Sequence, residues 1–210
     1  MLPSLTDAVA LVGIDLVVCA GCLRLLNLGY SRFSPIRPWT RWVAAVCFVV
    51  LWVPAGAAAL PVLAYIRGVT SDLSITFVAL AFASLWVQLR GRPALPARER
   101  SAVHYSVAVA AIFLYPLALG FGNWDAYRPG WGAPGMLLAL LALVVASWAR
   151  GLRLLPVLIA LALLAWTAGL LESTNLWDYL MDPWLAVGAI FYCAKAIARK
   201  LLMHFGLLKP

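Results

Sequence analysis

The sequence predicts an all-α, polytopic membrane protein: a single transmembrane domain over residues 1–210, folded as a bundle of seven transmembrane helices, with the N-terminus outside and the C-terminus in the cytoplasm. Three observations predict it. Hydrophobic residues make up 65% of the 210 residues and charged residues only 11%, with a mean hydropathy of +0.95, whereas a water-soluble chain carries about 25% charge. So few charges cannot cover a surface that faces water, and the principal solvent must be lipid. Seven apolar stretches each approach or exceed the roughly 20 residues that a helix needs to cross the hydrocarbon core. The basic residues, finally, divide very unequally between the loops that those stretches define.

The stretches run 7–29, 42–66, 71–89, 103–121, 131–149, 154–172 and 183–201. The first begins after Thr6 with Asp7, the third after Thr70-Ser71 with Asp72, and the seventh at Pro183 behind Asp182. An acid or hydroxyl at a helix start accepts from otherwise unpaired backbone N–H groups, and proline suits the first helical position. Pro54 and Pro61 are expected to kink the second helix and Pro116 the fourth, while Gly56-Ala57-Ala58-Ala59 offers a thin face for close helix packing. The fifth stretch, through Met136 to Ala146, does not alternate apolar with polar residues, which excludes a β-barrel strand. The sixth ends at Glu172, an anion where the helix dipole disfavours one. Met1 to Asp7 holds no basic n-region and is not read as a signal peptide.

With the N-terminus outside, the inner loops hold Arg24, Arg32, Arg37, Arg41, Arg90, Arg92, Arg98, Arg100, Arg150 and Arg153, and the C-terminal side holds Lys195, Arg199, Lys200 and Lys209. Only Arg67 and Arg128 remain outside. This positive-inside bias fixes the orientation, and removing one span would destroy it. The net charge of +8 therefore reads as a topology signal and not as a nucleic-acid surface. The preference for Arg over Lys points to a GC-rich, bacterial genome, and hence to a bacterial inner membrane.

Candidate site residues cluster in two loops assigned to the outer side, Asn123-Trp124-Asp125-Ala126-Tyr127-Arg128-Pro129-Gly130-Trp131 and Asn175-Leu176-Trp177-Asp178-Tyr179. Each carries Asn, a Trp-Asp pair and Tyr. Rings stack on sugars or cationic groups while Asp and Asn exchange hydrogen bonds, so Asp125, Tyr127, Arg128, Glu172, Asn175, Trp177, Asp178 and Tyr179 are the expected ligand-binding set at an outer mouth. The alternative is an interfacial aromatic belt. Glu172 needs a cation; Arg128 and Arg67 are available, and Arg128 is the expected partner, drawing the two loops together. Asp15 is an intramembrane acid about 12 Å below the outer end of the first helix at 1.5 Å per residue, and such a residue pairs, faces a wet cavity or functions. Cys19 and Cys22 share its helical stripe, which is expected to face protein.

The CxxC at Cys19-Ala20-Gly21-Cys22 lies mid-helix, where a redox motif does not work, and the two His are far apart in sequence; neither metal nor cofactor is expected. Lys195 is too near the cytoplasmic end for a retinal Schiff base. No Gly-rich phosphate loop, HExxH or GxSxG is present, which weighs against an enzyme. The expected function is a non-enzymatic component or partner in cell-envelope assembly that holds a polar or lipid-linked ligand at its outer mouth, beside a larger membrane enzyme. The alternatives are a small transporter or flippase using Asp15, and an outer-leaflet transferase using Asp125 and Asp178.

Overall fold

Ser4 opens the first helix. Its Oγ accepts the Asp7 backbone N–H at 3.1 Å, and the Asp7 carboxylate accepts the Ser4 backbone N–H at 3.2 Å, the reciprocal pairing of a capping box. Helix α1 then runs Leu5–Leu26, two residues ahead of the predicted start. The protein is described from a computed structural model that covers residues 4–26, 38–91 and 94–206. Arg32, Arg37, Arg92, Lys209 and the last three positions of the first predicted helix lie outside the described residues.

The second predicted helix is not continuous. Helix α2 (Pro38–Val50) stops before Pro54; an antiparallel hairpin pairs β1 (Pro54–Ala55) with β2 (Leu60–Pro61), and helix α3 (Val62–Thr70) follows. Proline lacks the ladder N–H and disfavours helical backbone in the residue before it, so Pro54 and Pro61 bound the hairpin where kinks were expected. Gly56 and Ala59 turn it with φ of 68° and 48°. The Gly56–Ala59 run is therefore a hairpin tip, not a helix-packing face.

The rest of the chain follows the predicted order: α4 (Ile75–Arg90), α5 (Ala97–Ala118), a 3-10 turn (Arg128–Trp131), α6 (Pro134–Ala149), α7 (Leu154–Thr167), the short α8 (Leu176–Leu180) and α9 (Pro183–His204), with α4, α6 and α7 shorter than predicted and α5 and α9 longer. Asp182 caps α9, accepting from the Leu185 N–H at 2.8 Å. Helix α4 is capped by Ser74 rather than Asp72. Helix α7 ends early because Gly169, at φ 61°, turns the backbone out of the helix, leaving Leu170 to Glu172 in the following loop.

The chain is thus all-α and mostly helical, at 75%, with nine α-helices among the described residues. Two of them, α1 and α5, are long and apolar enough to cross a membrane; α2, α4, α6 and α7 are apolar but shorter. Apolar side chains also line their exposed faces, as with Leu138, Leu141, Val145 and Trp148 along one side of α6.

The chain forms two compact units. In the first, residues 1–94 and 161–180, α1 is central and packs on α2, α3 and α4. Gly13 lets α1 and α4 approach closely, since a Cβ there would lie 2.9 Å from Val78 Cγ2. In the second, residues 95–160 and 181–210, α5 and α9 pack along their length. They are joined by Ser101 to Tyr192 (2.8 Å) and by the His104 ring stacked 4.3 Å from that of Tyr192.

Candidate functional site

In the first unit one guanidinium collects three carboxylates. Arg67 ends α3 and is tied to Asp7 through Nη1 (2.6 Å), Asp72 through Nε (2.7 Å) and Glu172 through Nη2 (2.8 Å). Its planar fork can hold several acceptors at fixed angles, which an ammonium cannot. Above all the Asp72 hydrogen bond, then that of Asp7, pushes the Arg67 pKa up against the opposing effect of burial, so the cation persists. The predicted N-out topology puts all four residues on the outer side, Asp7 and Asp72 at the outer starts of the first and third predicted helices, and they converge. Glu172 thus has its cation, but it is Arg67 and not the expected Arg128: the end of α3 already lies beside Asp7 and Asp72, and the loop after α7 reaches it.

Deeper in the same unit Asp15 is fully buried. Its Oδ2 accepts from Trp52 Nε1 at 2.7 Å and its Oδ1 from the Cys19 thiol at 3.4 Å. Trp52 lies in the break between α2 and the hairpin, and nothing in the sequence marks it as this partner. The predicted stripe does face protein, with Asp15 and Cys19 buried and Cys22 half-buried. Among the described residues, no three His, Cys, Asp or Glu gather to hold a metal ion.

The loop after α7 is a folded element. Tyr179 and Asn175 are buried. The Tyr179 hydroxyl accepts from the Leu171 N–H at 3.1 Å and donates to the Ser173 carbonyl at 3.0 Å. Asn175 Oδ1 accepts from the Trp177 N–H (3.0 Å), and Ser173 donates to Asp178. These side chains shape the loop from within, and Glu172, 65% exposed, is the member that faces outward.

In the second unit a shallow pocket of about 600 Å³ opens beside the 3-10 turn, lined by Trp124, Asp125, Arg128, Pro129, Trp131, Gly132 and Ala133. Asp125 shapes it: its Oδ1 accepts from the Tyr127 and Arg128 N–H groups at 2.9 and 3.2 Å, an Asx turn that initiates the 3-10 turn. The Trp124 ring rests against Phe113 and the Trp131 ring against Tyr127, at 5.5 and 5.4 Å between centroids. Among the described residues no carboxylate pairs with the Arg128 guanidinium. Two rings, a cation and a carboxylate edge suit a polar or anionic group better than an apolar one. Of the expected set, Asp125 and Arg128 line this pocket and Tyr127 braces its wall; Trp124 and Trp131, from the same loop but outside that set, complete the lining.

No protein-family model, no curated protein and no solved structure matches this chain.

Proposed function

We propose that the chain is a multi-pass protein of the bacterial inner membrane, N-terminus outside and C-terminus in the cytoplasm. It acts without catalysing a reaction, as a component or partner in cell-envelope assembly that holds a polar or lipid-linked ligand at its outer mouth. The pocket at Trp124, Asp125, Arg128 and Trp131 carries this reading, because its cation is matched by no carboxylate within the described residues. A phosphate or carboxylate would take the guanidinium fork, and a sugar or headgroup would lie on the rings.

The orientation is supported within each unit. Asp7, Arg67, Asp72 and Glu172, all assigned outside, meet in one ion cluster. In the other unit, Arg98 and Glu99 meet the turn at Arg150 and Arg153, all assigned inside. The shorter apolar helices α2, α4, α6 and α7 with their flanking residues, together with the 22-residue α9, complete the seven spans, in a local membrane that thins around them or tilts others. Asp15, bonded to Trp52 and Cys19, supports a packing role over a transport path. Asp125 engages one oxygen with backbone, the behaviour of a turn-former.

The test is mass spectrometry of what remains bound after purification in mild detergent. The wild type is expected to retain a polar or lipid-linked ligand that Arg128→Gln and the double variant Trp124→Ala, Trp131→Ala lose while staying folded. Turnover of an added lipid-linked substrate by the purified chain alone would overturn the non-enzymatic reading.

A further inference from the structure

The pocket beside the 3-10 turn carries both signs of charge. Asp125 and Arg128 line it and both are exposed, yet among the described residues no ion pair joins them or ties either to another group. One carboxylate oxygen is committed to the turn, where Oδ1 accepts from the Tyr127 and Arg128 N–H groups; the other, Oδ2, accepts no hydrogen bond among the described residues. The turn itself is fixed at both ends. The Gly130 N–H donates to the Tyr127 carbonyl and the Ala133 N–H to the Pro129 carbonyl, each at 3.0 Å, and Gly132 closes it at φ 85°. Carboxylate and guanidinium are thus presented from one rigid backbone frame.

Two charges that line one pocket without neutralising each other select a ligand by what they repel. A ligand with only negative charge would meet Asp125 as well as Arg128, and one with only positive charge the reverse. A neutral sugar would leave both without a counter-charge. A molecule with an anion and a cation a few bonds apart satisfies both. The rings favour the same chemistry. Trp124 and Trp131 stay 52% and 56% exposed although each is braced by a neighbouring ring, and an indole face attracts an ammonium group. The planar guanidinium fork, in turn, matches phosphate oxygens.

We propose that this pocket binds a zwitterionic phosphodiester bearing a primary ammonium, the headgroup chemistry of phosphatidylethanolamine. Arg128 holds the phosphate oxygens, Asp125 Oδ2 accepts from the ammonium, and Trp124 and Trp131 offer ring faces to the cation. The proposal deepens the reading of this pocket as a ligand-holding outer mouth, and rests on it.

The experiment places the full chain in nanodiscs of equal parts phosphatidylethanolamine and phosphatidylglycerol with identical acyl chains, extracts it in mild detergent and counts retained lipids by native mass spectrometry. The wild type is expected to retain phosphatidylethanolamine over phosphatidylglycerol by roughly fivefold, the combined effect of one exposed charge pair and one exposed cation–π contact. Asp125→Asn keeps an oxygen for the two N–H groups of the turn but removes the charge, and is expected to abolish that preference. Arg128→Gln is expected to lower retention of both lipids, and Glu172→Gln, at an outer carboxylate of the first unit, to change neither. N-acetylated phosphatidylethanolamine, which keeps the phosphodiester and loses the ammonium, is expected to be retained by the wild type no better than phosphatidylglycerol; this arm decides if Asp125→Asn fails to fold. No preference in the wild type, or a preference that survives N-acetylation or Asp125→Asn, would overturn the zwitterion, while Arg128-dependent retention would leave the pocket standing as a site. Retention of both lipids unaffected by Arg128→Gln would instead refute the reading of the pocket itself. Excess glycerophosphoethanolamine is expected to displace the lipid; failure to do so would show that the acyl chains hold it, against the proposal.

Discussion

Asp15 is where a transport reading and a packing reading divide, and its partners weigh on the second. A buried carboxylate that accepts from Trp52 and Cys19 joins α1 to the break after α2. Asn retains a carbonyl oxygen for Trp52, whereas Ala leaves the indole N–H without an acceptor, at a cost of about 1–3 kcal/mol. Asp15→Asn is therefore expected to unfold in detergent close to the wild type and Asp15→Ala clearly earlier; an Ala variant as stable as the Asn variant would contradict the bond. Arg67 makes a second residue-scale prediction. Removing it leaves Asp7, Asp72 and Glu172 facing one another, and Arg67 is only 19% exposed. The loss from Arg67→Ala is expected near 2 kcal/mol, between exposed and buried pairs. Glu172→Gln, at the most exposed partner, is expected to cost much less, and denaturation in detergent compares the two directly.

At the scale of elements, helix ends and close approaches decide the architecture. Gly13 brings α1 against α4, and the atom that an added Cβ would meet, Val78 Cγ2 at 2.9 Å, belongs to a β-branched side chain that is stiff in a helix. Gly13→Ala is expected to destabilise the first unit by roughly 1–3 kcal/mol through overpacking, whereas Gly21→Ala, with nothing within 4 Å of the new methyl, should be neutral or stabilising. A comparison of their thermal midpoints checks the pair. In the second unit, Glu99 joins α5 to α7 by capping α7 through two backbone N–H groups. Glu99→Ala removes the acceptor and the favourable charge at that N-terminus, a loss of about 1 kcal/mol. Hydrogen exchange at Arg153 and Leu154 should rise in that variant before any other part of α7; unchanged exchange there would show that the cap does not hold the helix.

At the scale of the whole molecule, the topology is the claim to test. Reporter fusions after Ser4, in the Pro54–Pro61 hairpin, at Asp125 and at the C-terminus distinguish seven spans from a topology in which only α1 and α5, the two helices long and apolar enough to cross, are inserted. The N-terminal and Asp125 fusions are expected outside and the C-terminal one inside. A C-terminus on the same side as the N-terminus would require an even number of spans and would refute the bundle.

Composition and hydropathy determined what is local: an all-α chain, the order of its helices, the Asp182 cap of α9 and the protein-facing stripe of Asp15. Helix formation, capping and the apolar character of a stretch depend on neighbours within a few residues, so these are written in the sequence itself. Helix lengths were less legible, because Pro54, Pro61 and Gly169 end or divide runs whose hydropathy continues through them. Of the candidate site, the sequence located the Asp125–Arg128 turn and named Glu172 as an acid in need of a cation. It had two cations to choose from and no means to choose. Only the tertiary structure decided for Arg67, buried Tyr179 and Asn175 inside their loop, and brought Trp52 to Asp15. Each of these depends on which distant segments lie side by side, and the free energy that selects a pairing is set by distance and burial in space, neither of which a single residue or its near neighbours specify.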